Sequence, residues 1–436
     1  MKIFFKTFGC RVNQYETEAL RERLLADGGS GATDDYESAD LCVINTCAIT
    51  GEADKDALRM VRRIARRNPG ARLVVTGCCA ERDAERIRAA APEAILCANA
   101  GKEELPRLLG FACGPGVRRI RRFDGHSRAF LKVQDGCDMA CTYCVVPSVR
   151  PALSCRPWEE VRGEAAGLLA AGYRELVLCG IRMGRYLGEE AGRRADLVGL
   201  IERLLDLPED FRIRLSSLEI TDVTPRLLAL LQAGGGHGAA APGAAPFSSR
   251  GGGGGCLAPS LHLPLQSGSS SVLERMGRWY SAELAARRLA ELRSACPGTA
   301  VFTDVMVGFP GETDGEAEES FRFVRDAGFS GLHVFRYSRR EGTPAAAYPD
   351  QVPAAAAWER AERMRALDRE LREGFAAAAV GSRRRVVVEE GSPGSRTEAL
   401  TDHFLKVVLD RDPGPGLHWA RIGRSEGPLA FGQIEA

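Results

Sequence analysis

The 436-residue sequence has a formal net charge of only +1 and lacks any long apolar run. This small net charge excludes a global electrostatic field that would attract nucleic acid. Any RNA contact must therefore come from local basic patches. No apolar stretch reaches the ~18 residues that a membrane span requires. The N-terminal segment MKIFFKTFGC also lacks the apolar core of a signal peptide. We therefore expect a cytoplasmic protein with no membrane partner.

Histidine is scarce and cysteine is plentiful. The six histidines show no spacing that suggests a Ser/His/Asp nucleophile, and we expect no such triad. The fourteen cysteines lie in a long chain without a secretory signature, which argues against a disulfide scaffold. Metal binding or catalysis is the favoured use of these thiols.

The first part of the chain alternates short apolar strands with charged helices. KIFFKTF, DLCVINTC and ARLVVTGC are predicted strands, and each is followed by a helical stretch. This order favours a parallel sheet with helices on its faces. A cysteine follows each strand, at Cys10, Cys47 and Cys78. Because the carboxyl ends of parallel strands form the ligand-binding edge, three distant thiols could meet there.

Strand and helix patterns resume at AFLKVQDGC and continue to about residue 345. This pattern predicts a partial or full (β/α) barrel with its site at the strand C-terminal face. The six strands are AFLKVQ, RELVLCGI, RIRLSSLEI, LHLPLQSG, AVFTDVMVGFP and GLHVFRYS. Residues 233–255 form a Gly/Ala/Pro/Ser tract that we expect to be a flexible insertion. A long helix is predicted near residues 353–378. The strands RRRVVVEE, HFLKVVLD, HWARIG and PLAFGQIEA then predict a small all-β barrel.

The segment DGCDMACTYCVVP places Cys137, Cys141 and Cys144 in a C-x3-C-x2-C loop. A structural zinc site uses four protein ligands, so three cysteines form such a site only with a remote fourth ligand. On a four-iron cube, three thiolates leave one iron open to a small molecule. The spacing alone leaves both interpretations open.

This loop, with Tyr143 just before its last cysteine, resembles the radical S-adenosylmethionine (SAM) superfamily. The resemblance implies a [4Fe–4S] cluster on the three cysteines, whose open iron binds SAM. It also implies that an electron from the cluster cleaves SAM and releases a 5′-deoxyadenosyl radical. The protein would contribute placement and electrostatics, while the cofactor carries the difficult chemistry.

The segments FGCRVNQYETEAL, NTCAITGEADKDALRMVRR and VVTGCCAER resemble the N-terminal domain of the radical SAM methylthiotransferases. In that family the matching cysteines, here Cys10, Cys47 and Cys78, bind a second [4Fe–4S] cluster. The resemblance spans nearly the whole chain and implies four parts: an N-terminal methylthiotransferase domain (1–116), a radical SAM core (123–350), a linking helix (351–378) and a TRAM domain (379–436). The expected fold class is therefore α/β: an N-terminal parallel α/β domain, a radical SAM partial barrel and a small all-β TRAM barrel.

The substrate is suggested by the first two of these segments. They look most like the branch that methylthiolates C2 of N6-threonylcarbamoyladenosine at tRNA position 37. The alternatives are N6-isopentenyladenosine at the same position and an aspartate of ribosomal protein S12. A rival of another class is a non-catalytic iron–sulfur or zinc RNA-binding protein. If the protein is such an enzyme, its expected partners are tRNA, an electron donor of the flavodoxin or ferredoxin type, and an unidentified sulfur donor.

Several strand ends supply a predicted SAM pocket. Glycines there permit close approach of the ligand, and polar side chains could bond its ribose and amino acid groups. By resemblance, the turn after AVFTDVMV contacts adenine. The predicted cofactor-binding residues are Gly180, Gly184, Ser216, Glu219, Gln266, Asp304 and Gly308.

The predicted RNA contacts lie in the C-terminal barrel, where basic and aromatic side chains could follow phosphate and stack on bases. They are Arg383, Arg384, Arg385, Phe404 and Lys406. The sequence departs from the family pattern at Pro151, which stands in place of a glycine, at Ser260, which stands in place of a histidine, at Cys79, and in the glycine-rich insertion.

Overall fold

Five short parallel strands form the first sheet, in the order β2-β1-β3-β4-β5. The structure, a computed structural model, describes all residues except 27, 49–50, 112–118, 124, 235–253, 390–395 and 436. Alternate residues of the strands pack on opposite helix layers, so Ile44 contacts the layer of α2 while Val43 contacts that of α1. The elements are β1 Lys2–Thr7, α1 Arg11–Leu25, β2 Gly31–Thr33, β3 Leu41–Thr46, α2 Gly51–Arg67, β4 Arg72–Gly77, α3 Cys78–Arg82, α4 Ala84–Ala90, β5 Ile95–Cys97 and α5 Leu105–Leu108.

The predicted parallel sheet is confirmed, with its three expected strands at its centre. The strands β2 and β5 were not predicted, because three residues each are too few for an alternation pattern to mark.

The second region is a partial barrel built from two parallel sheets. One has the order β13-β12-β9-β6 and the other β14-β15-β16, and a bridge between Ser217 and His262 joins them. The elements are β6 Ala129–Lys132, β7 Gln134–Asp135, α6 Val146–Val149, β8 Ser154–Cys155, α7 Trp158–Ala170, β9 Glu175–Cys179, β10 Leu187–Glu190, β11 Arg193–Asp196, α8 Leu197–Leu205, β12 Phe211–Leu215, α9 Pro225–Gly234, β13 Gly255–Leu257, β14 Ser260–His262, α10 Ser270–Arg275, α11 Ala282–Ala295, β15 Ala300–Val307, α12 Asp314–Asp326, β16 Gly331–Arg336 and α13 Ala354–Ala378.

All six predicted strands of this region are present as β6, β9, β12, β14, β15 and β16. In the described residues β6 and β16 are both edge strands, so the barrel is the partial form. The outward face of β15 and β16 packs on α13 through Val305, Leu332, Ala361 and Met364, all buried in the main core. The opposite face therefore lines the barrel interior.

Most of the predicted insertion lies outside the described residues. Its first two positions, 233 and 234, belong to α9, and Gly255 begins β13, so the expected boundaries are too wide at both ends. No helix in the described part of the chain has the length and apolarity of a membrane span.

The C-terminal region is a closed barrel of five strands in the order β17-β18-β19-β21-β20. Four of these strands were predicted, and β18 was not. The elements are β17 Arg383–Val388, β18 Glu398–Thr401, β19 Lys406–Leu409, β20 Leu417–Glu426 and β21 Leu429–Ile434. Two buried arginines of β12 hold this barrel against the larger one: Arg212 donates to Leu400 O and Arg214 to Thr401 O, each at 2.9 Å.

Candidate functional site

The first cysteine triplet lies at the carboxyl edge of the N-terminal sheet, as predicted. Cys10 precedes α1, Cys47 follows β3, and Cys78 begins α3 directly after β4. Gly9 (φ +98°) lies against Cys47, and a Cβ at this glycine would overlap that side chain. Burial raises the pKa of the Cys10 thiol, and the nearby Cys78 contributes to the same shift. Three cysteines from distant parts of the sequence thus meet at one edge.

The second triplet occupies the loop between β7 and α6. Its geometry starts at Gly136 (φ +78°), where a Cβ would overlap the carbonyl of Ala152. The Cys137 amide donates to Arg150 O at 3.2 Å, and the Cys144 amide donates to Cys141 O at 3.1 Å. The three cysteine residues are all partly exposed.

Tyr143 anchors this loop to the barrel. Its ring packs edge-on against Phe309, with 6.3 Å between ring centroids, in a cluster with Val272, Met276 and Ala345. The neighbouring Thr142 amide donates to Met276 O at 2.9 Å. The loop is therefore fixed by the ends of α10 and β15, and its side facing this cluster is dry.

The two triplets are neighbours. Cys78 of the first lies in a small buried cluster with Val145 and Val149, which follow the last cysteine of the second. Asn99 joins the two regions, since its Nδ2 lies 3.9 Å from Cys78 Sγ and donates to Val149 O at 3.0 Å. The N-terminal sheet and the barrel thus present their cysteine-bearing edges to each other.

A buried charge network fixes this arrangement. Glu16 of α1 accepts from Arg150 at 2.8 Å and from Lys132 at 2.6 Å, and it also pairs with Lys102. Although burial opposes the shift, these three cations lower the pKa of Glu16 well below its usual value. Arg150 also donates to Asp135, beside the cysteine loop, at 2.7 Å. The network links α1, β6 and the loop that holds the second triplet.

The residues fit iron–sulfur clusters better than single ions. Among the described residues, neither triplet brings all three sulfurs within 4.8 Å of one another. A single tetrahedral zinc with Zn–S bonds of about 2.3 Å needs closer sulfurs. Burial raises the pKa of the Cys144 thiol to about 12, so a thiolate there needs the positive charge of bound metal. The sulfurs also receive donors, including Val146 N at 3.4 Å from Cys144 Sγ.

Arg278 connects the cysteine loop to the barrel interior. Its Nη1 lies 3.5 Å from Cys141 Sγ, and its Nη2 pairs with the Glu219 carboxylate and lies 3.0 Å from the Tyr280 hydroxyl. Burial raises the pKa of Glu219, while Arg278 opposes that shift. A positive charge is thereby placed beside a candidate cluster ligand. Sequence reasoning missed this arginine, because a basic residue 137 positions away from its cysteine leaves no local signal.

Two of the three glycines predicted for the SAM pocket, Gly180 and Gly184, lie where larger residues do not fit. A Cβ at Gly184 would overlap the carboxylate of Asp222, which pairs with Arg182. A Cβ at Gly180 would come within 3.0 Å of Gln134 Oε1. Both glycines therefore allow side chains of neighbouring elements to approach the strand end.

The other predicted pocket residues are distributed along the same edge. Ser216 is buried, with its hydroxyl 3.8 Å from Met183 Sδ, whereas the more exposed Ser217 lies on the barrel interior. Gln266 adopts a left-handed backbone (φ +69°) beside β15. Gly308 (φ +73°) lies against Ala357, and its amide donates to Glu312 at 3.0 Å.

Asp304, also predicted, lies at the centre of a hydrogen-bond chain. Its Oδ1 is 2.8 Å from His262 Nε2 and 3.1 Å from His333 Nδ1, and His262 Nδ1 is 2.9 Å from Ser217 Oγ. Although burial opposes it, bonding to both imidazoles lowers the pKa of Asp304 to about 2. The spacing of the histidines in the sequence did not indicate this hydrogen-bonded Ser217–His262–Asp304 chain. Ser217 follows β12, His262 ends β14, and Asp304 and His333 lie within β15 and β16, so only strand register brings them together.

The predicted RNA residues have different environments. Arg383 and Lys406 are exposed, and the Arg383 guanidinium lies 4.1 Å from the ring centroid of Trp419. Arg385 donates to Asp210 at 2.6 Å, and Arg384 contacts His403 at 2.8 Å. Phe404 packs against Phe302, with ring centroids 5.6 Å apart, and so serves the contact between the two barrels.

The fold and the cysteine loop define the class of radical SAM proteins, and comparison with known proteins agrees. Residues 2–98 match a family model described as uncharacterized protein family UPF0004, and residues 253–324 match the radical SAM superfamily. A radical SAM methyltransferase, TsrM from Kitasatospora setae, superposes with a TM-score of 0.53 at 13% identity over 79% of this chain and 75% of that chain. At that identity the likeness speaks for the fold alone.

Two curated relatives are closer. The threonylcarbamoyladenosine tRNA methylthiotransferase MtaB of Chlamydia pneumoniae is 39% identical over 81% of this chain and 78% of its own length. The tRNA-2-methylthio-N(6)-dimethylallyladenosine synthase of Novosphingobium aromaticivorans is 36% identical over 88% of this chain and 86% of its own length. The chain belongs to the radical SAM methylthiotransferase family. Its cofactors are accordingly SAM and [4Fe–4S] iron–sulfur centres.

Proposed function

We propose that the protein methylthiolates C2 of N6-threonylcarbamoyladenosine at position 37 of tRNA, using two [4Fe–4S] clusters. The observation that carries this proposal is the meeting of two cysteine triplets, with Cys78 packed against Val149 beside the second loop. A donor of sulfur and a site of radical formation must both reach one substrate carbon, and neighbouring cluster sites satisfy that requirement.

In this proposal Cys137, Cys141 and Cys144 hold the cluster that binds SAM, and Cys10, Cys47 and Cys78 hold the second. When bound, these groups supply one-electron chemistry and a transferable sulfur, which suit a C2 position that polar reagents do not attack. The proposed domains are residues 1–116, 123–350, 351–378 and 379–436. The electron donor would be of the flavodoxin or ferredoxin type, and the sulfur donor is not assigned.

The chain's own residues prepare the site. Tyr143 and Phe309 exclude water from one side of the cysteine loop, and Arg278 places positive charge beside Cys141. Glu219 is held by Arg278 at the mouth of the barrel, where it can accept hydrogen bonds from a ligand's hydroxyl or amino groups. Gly184 leaves room for Asp222 at the same mouth.

The choice of modified adenosine is supported by the segments around Cys10 and Cys47 and by the name of the Chlamydia relative. The second candidate is the dimethylallyl-modified adenosine named for the Novosphingobium relative, whose identity is only slightly lower. Arg383 and Lys406, both exposed on the C-terminal barrel, are the proposed contacts for the tRNA backbone.

Mass spectrometry of tRNA nucleosides from a deletion strain tests the substrate. Loss of 2-methylthio-N6-threonylcarbamoyladenosine, restored by the gene, is the expected result. Loss of the dimethylallyl product would favour the second candidate, and unchanged nucleosides with a lost methylthio group on ribosomal protein S12 would overturn the tRNA assignment. Release of 5′-deoxyadenosine from anaerobically reconstituted protein separates all these enzymes from a non-catalytic RNA-binding protein, which would release none.

A further inference from the structure

We propose that the interior face of β15 and β16 binds the substrate adenine, with Phe335 as its stacking surface and His333 as a contact to its edge. This inference rests on the proposed function and adds the residues that receive the base. It comes from two side chains that the folded core leaves unused.

Strand register places these residues on one surface. Asp304 is paired with His333, and Met306 with Phe335, along the parallel β15–β16 ladder. His333 and Phe335 are two residues apart, so both project to the same side, at roughly 6.5–7 Å from each other along the strand. Residues on the opposite face of the two strands, such as Leu332 and Val305, pack in the core beneath α13.

Phe335 is left open in this interior. Its side chain is 40% exposed, although it lies within β16, one residue before the strand ends. In the described part of the chain its ring has no aromatic or cationic partner. An unpaired aromatic face of this kind is what an unstacked RNA base uses as a platform.

His333 is half exposed and held in one orientation. Its Nδ1 lies 3.1 Å from Asp304 Oδ1, and this carboxylate is itself fixed by His262, which contacts Ser217. Among the residues that the structure describes, His333 Nε2 has no hydrogen-bond partner. A fixed ring nitrogen beside a stacking surface can read the edge of a base.

The same surface leads to the cysteine loop by two routes. Ser217 is two residues from Glu219, which pairs with Arg278 beside Cys141. At its carboxyl end β15 leads to Phe309, which packs on Tyr143 of the loop. A base on Phe335 therefore lies in the interior that these two contacts border.

A divalent cation is the competing occupant. The donor atoms of His262, Asp304 and His333 all lie within 4.8 Å of one another, and two imidazoles with one carboxylate form a known metal-ligand set. We favour the base because both imidazoles bond the same carboxylate oxygen and because a metal site gives no role to the open Phe335 ring.

The test uses the full-length protein and an anticodon stem–loop RNA carrying the fluorescent adenine analogue 2-aminopurine at position 37. Wild-type protein is expected to change the fluorescence. Phe335→Ala should abolish most of that change and weaken RNA binding roughly 5- to 100-fold, as loss of one stacking contact does. Trp358→Ala is the matched control, because Trp358 is a 54% exposed aromatic on α13, outside the barrel interior, and should have no effect.

If the alanine variant does not fold, two variants that change side-chain volume less take its place, His333→Gln and Phe335→Leu. Both should retain release of 5′-deoxyadenosine but yield less methylthiolated nucleoside per molecule released. Wild-type fluorescence and product yield in both variants would overturn the proposal. So would one zinc or cobalt ion bound per chain to these residues, lost in His333→Gln, with RNA binding unchanged. If wild-type protein makes no methylthiolated nucleoside, the proposed function fails instead.

Discussion

Arg278 lies between α10 and α11 and reaches the cysteine loop, where its Nη1 lies 3.5 Å from the sulfur of Cys141. Its side chain is only 4% exposed, so solvent screens this charge weakly. The same guanidinium pairs with Glu219 and lies 4.5 Å from the ring centroid of Trp279. One side chain therefore couples the cysteine loop to the polar mouth of the barrel.

Arg278→Met should lower the reduction potential of the cluster on the cysteine loop and slow SAM cleavage roughly 10- to 100-fold, as loss of an outer-shell partner does. Removing the donor and the positive charge destabilises the reduced, more negative cluster. Redox titration followed by electron paramagnetic resonance measures the potential.

Arg185→Met is the control for this change. Arg185 also pairs with a residue of the cysteine loop, Asp138 at 2.7 Å, but its side chain is 54% exposed and solvent screens its charge. An equal shift of the potential in both variants would show that the contact between Arg278 and Cys141 is not the cause.

Gly184→Ala should reduce SAM cleavage and destabilise the protein by about 1–3 kcal/mol, because the new methyl group displaces Asp222 from its place beside Arg182. Chemical denaturation and 5′-deoxyadenosine release measure the two effects. Gly167→Ala is the control: a Cβ there meets nothing within 4 Å in α7, so the change should be neutral or stabilise the helix by about 0.5–1 kcal/mol. Full activity of the Gly184→Ala variant would show that this glycine does not belong to the SAM pocket.

Glu16→Gln should lower the free energy of unfolding by about 3–5 kcal/mol at pH 7, because it removes the carboxylate paired with buried Lys102 and leaves Lys132 and Arg150 to share Asp135. The pKa of Glu16 is lower in the folded protein, so its contribution is fully present above the unfolded pKa and is lost as the pH falls through the folded value. The difference between wild type and variant should therefore shrink between pH 7 and pH 3 in urea unfolding experiments.

The exposed pair of Arg424 and Glu426 provides the comparison for Glu16. Glu426→Gln removes a carboxylate that is 66% exposed, and its effect should stay within about 1 kcal/mol at every pH. A difference for Glu16→Gln that is constant with pH would contradict the charge network as its cause.

Much of the fold could be predicted from the sequence because its signals are local. Short apolar segments, each followed closely by Cys10, Cys47 or Cys78, marked both the strands and the edge where the thiols meet. The long helix predicted near 353–378 is α13, Ala354–Ala378. The strand β18 was missed because four residues beside a turn-rich segment carry too little pattern.

The parts of the site that escaped prediction depend on register and on charge. Ser217, His262 and His333 come together only because neighbouring strands align, and no spacing in the sequence records that alignment. No local pattern in the sequence marks Arg150, yet it is buried and donates to Glu16 of α1. Such long-range pairs compensate buried charge and cannot be read from composition.

The central claim is that each cysteine triplet holds its own cluster, and Mössbauer spectroscopy with iron and sulfide analysis of the anaerobically reconstituted protein tests it most directly. Wild-type protein should hold about eight irons per chain as two [4Fe–4S] clusters. The Cys137/Cys141/Cys144 triple alanine variant and the Cys10/Cys47/Cys78 triple alanine variant should each hold about four, with SAM cleavage lost only in the first. A single cluster in wild-type protein, or one that survives in both variants, would contradict the account.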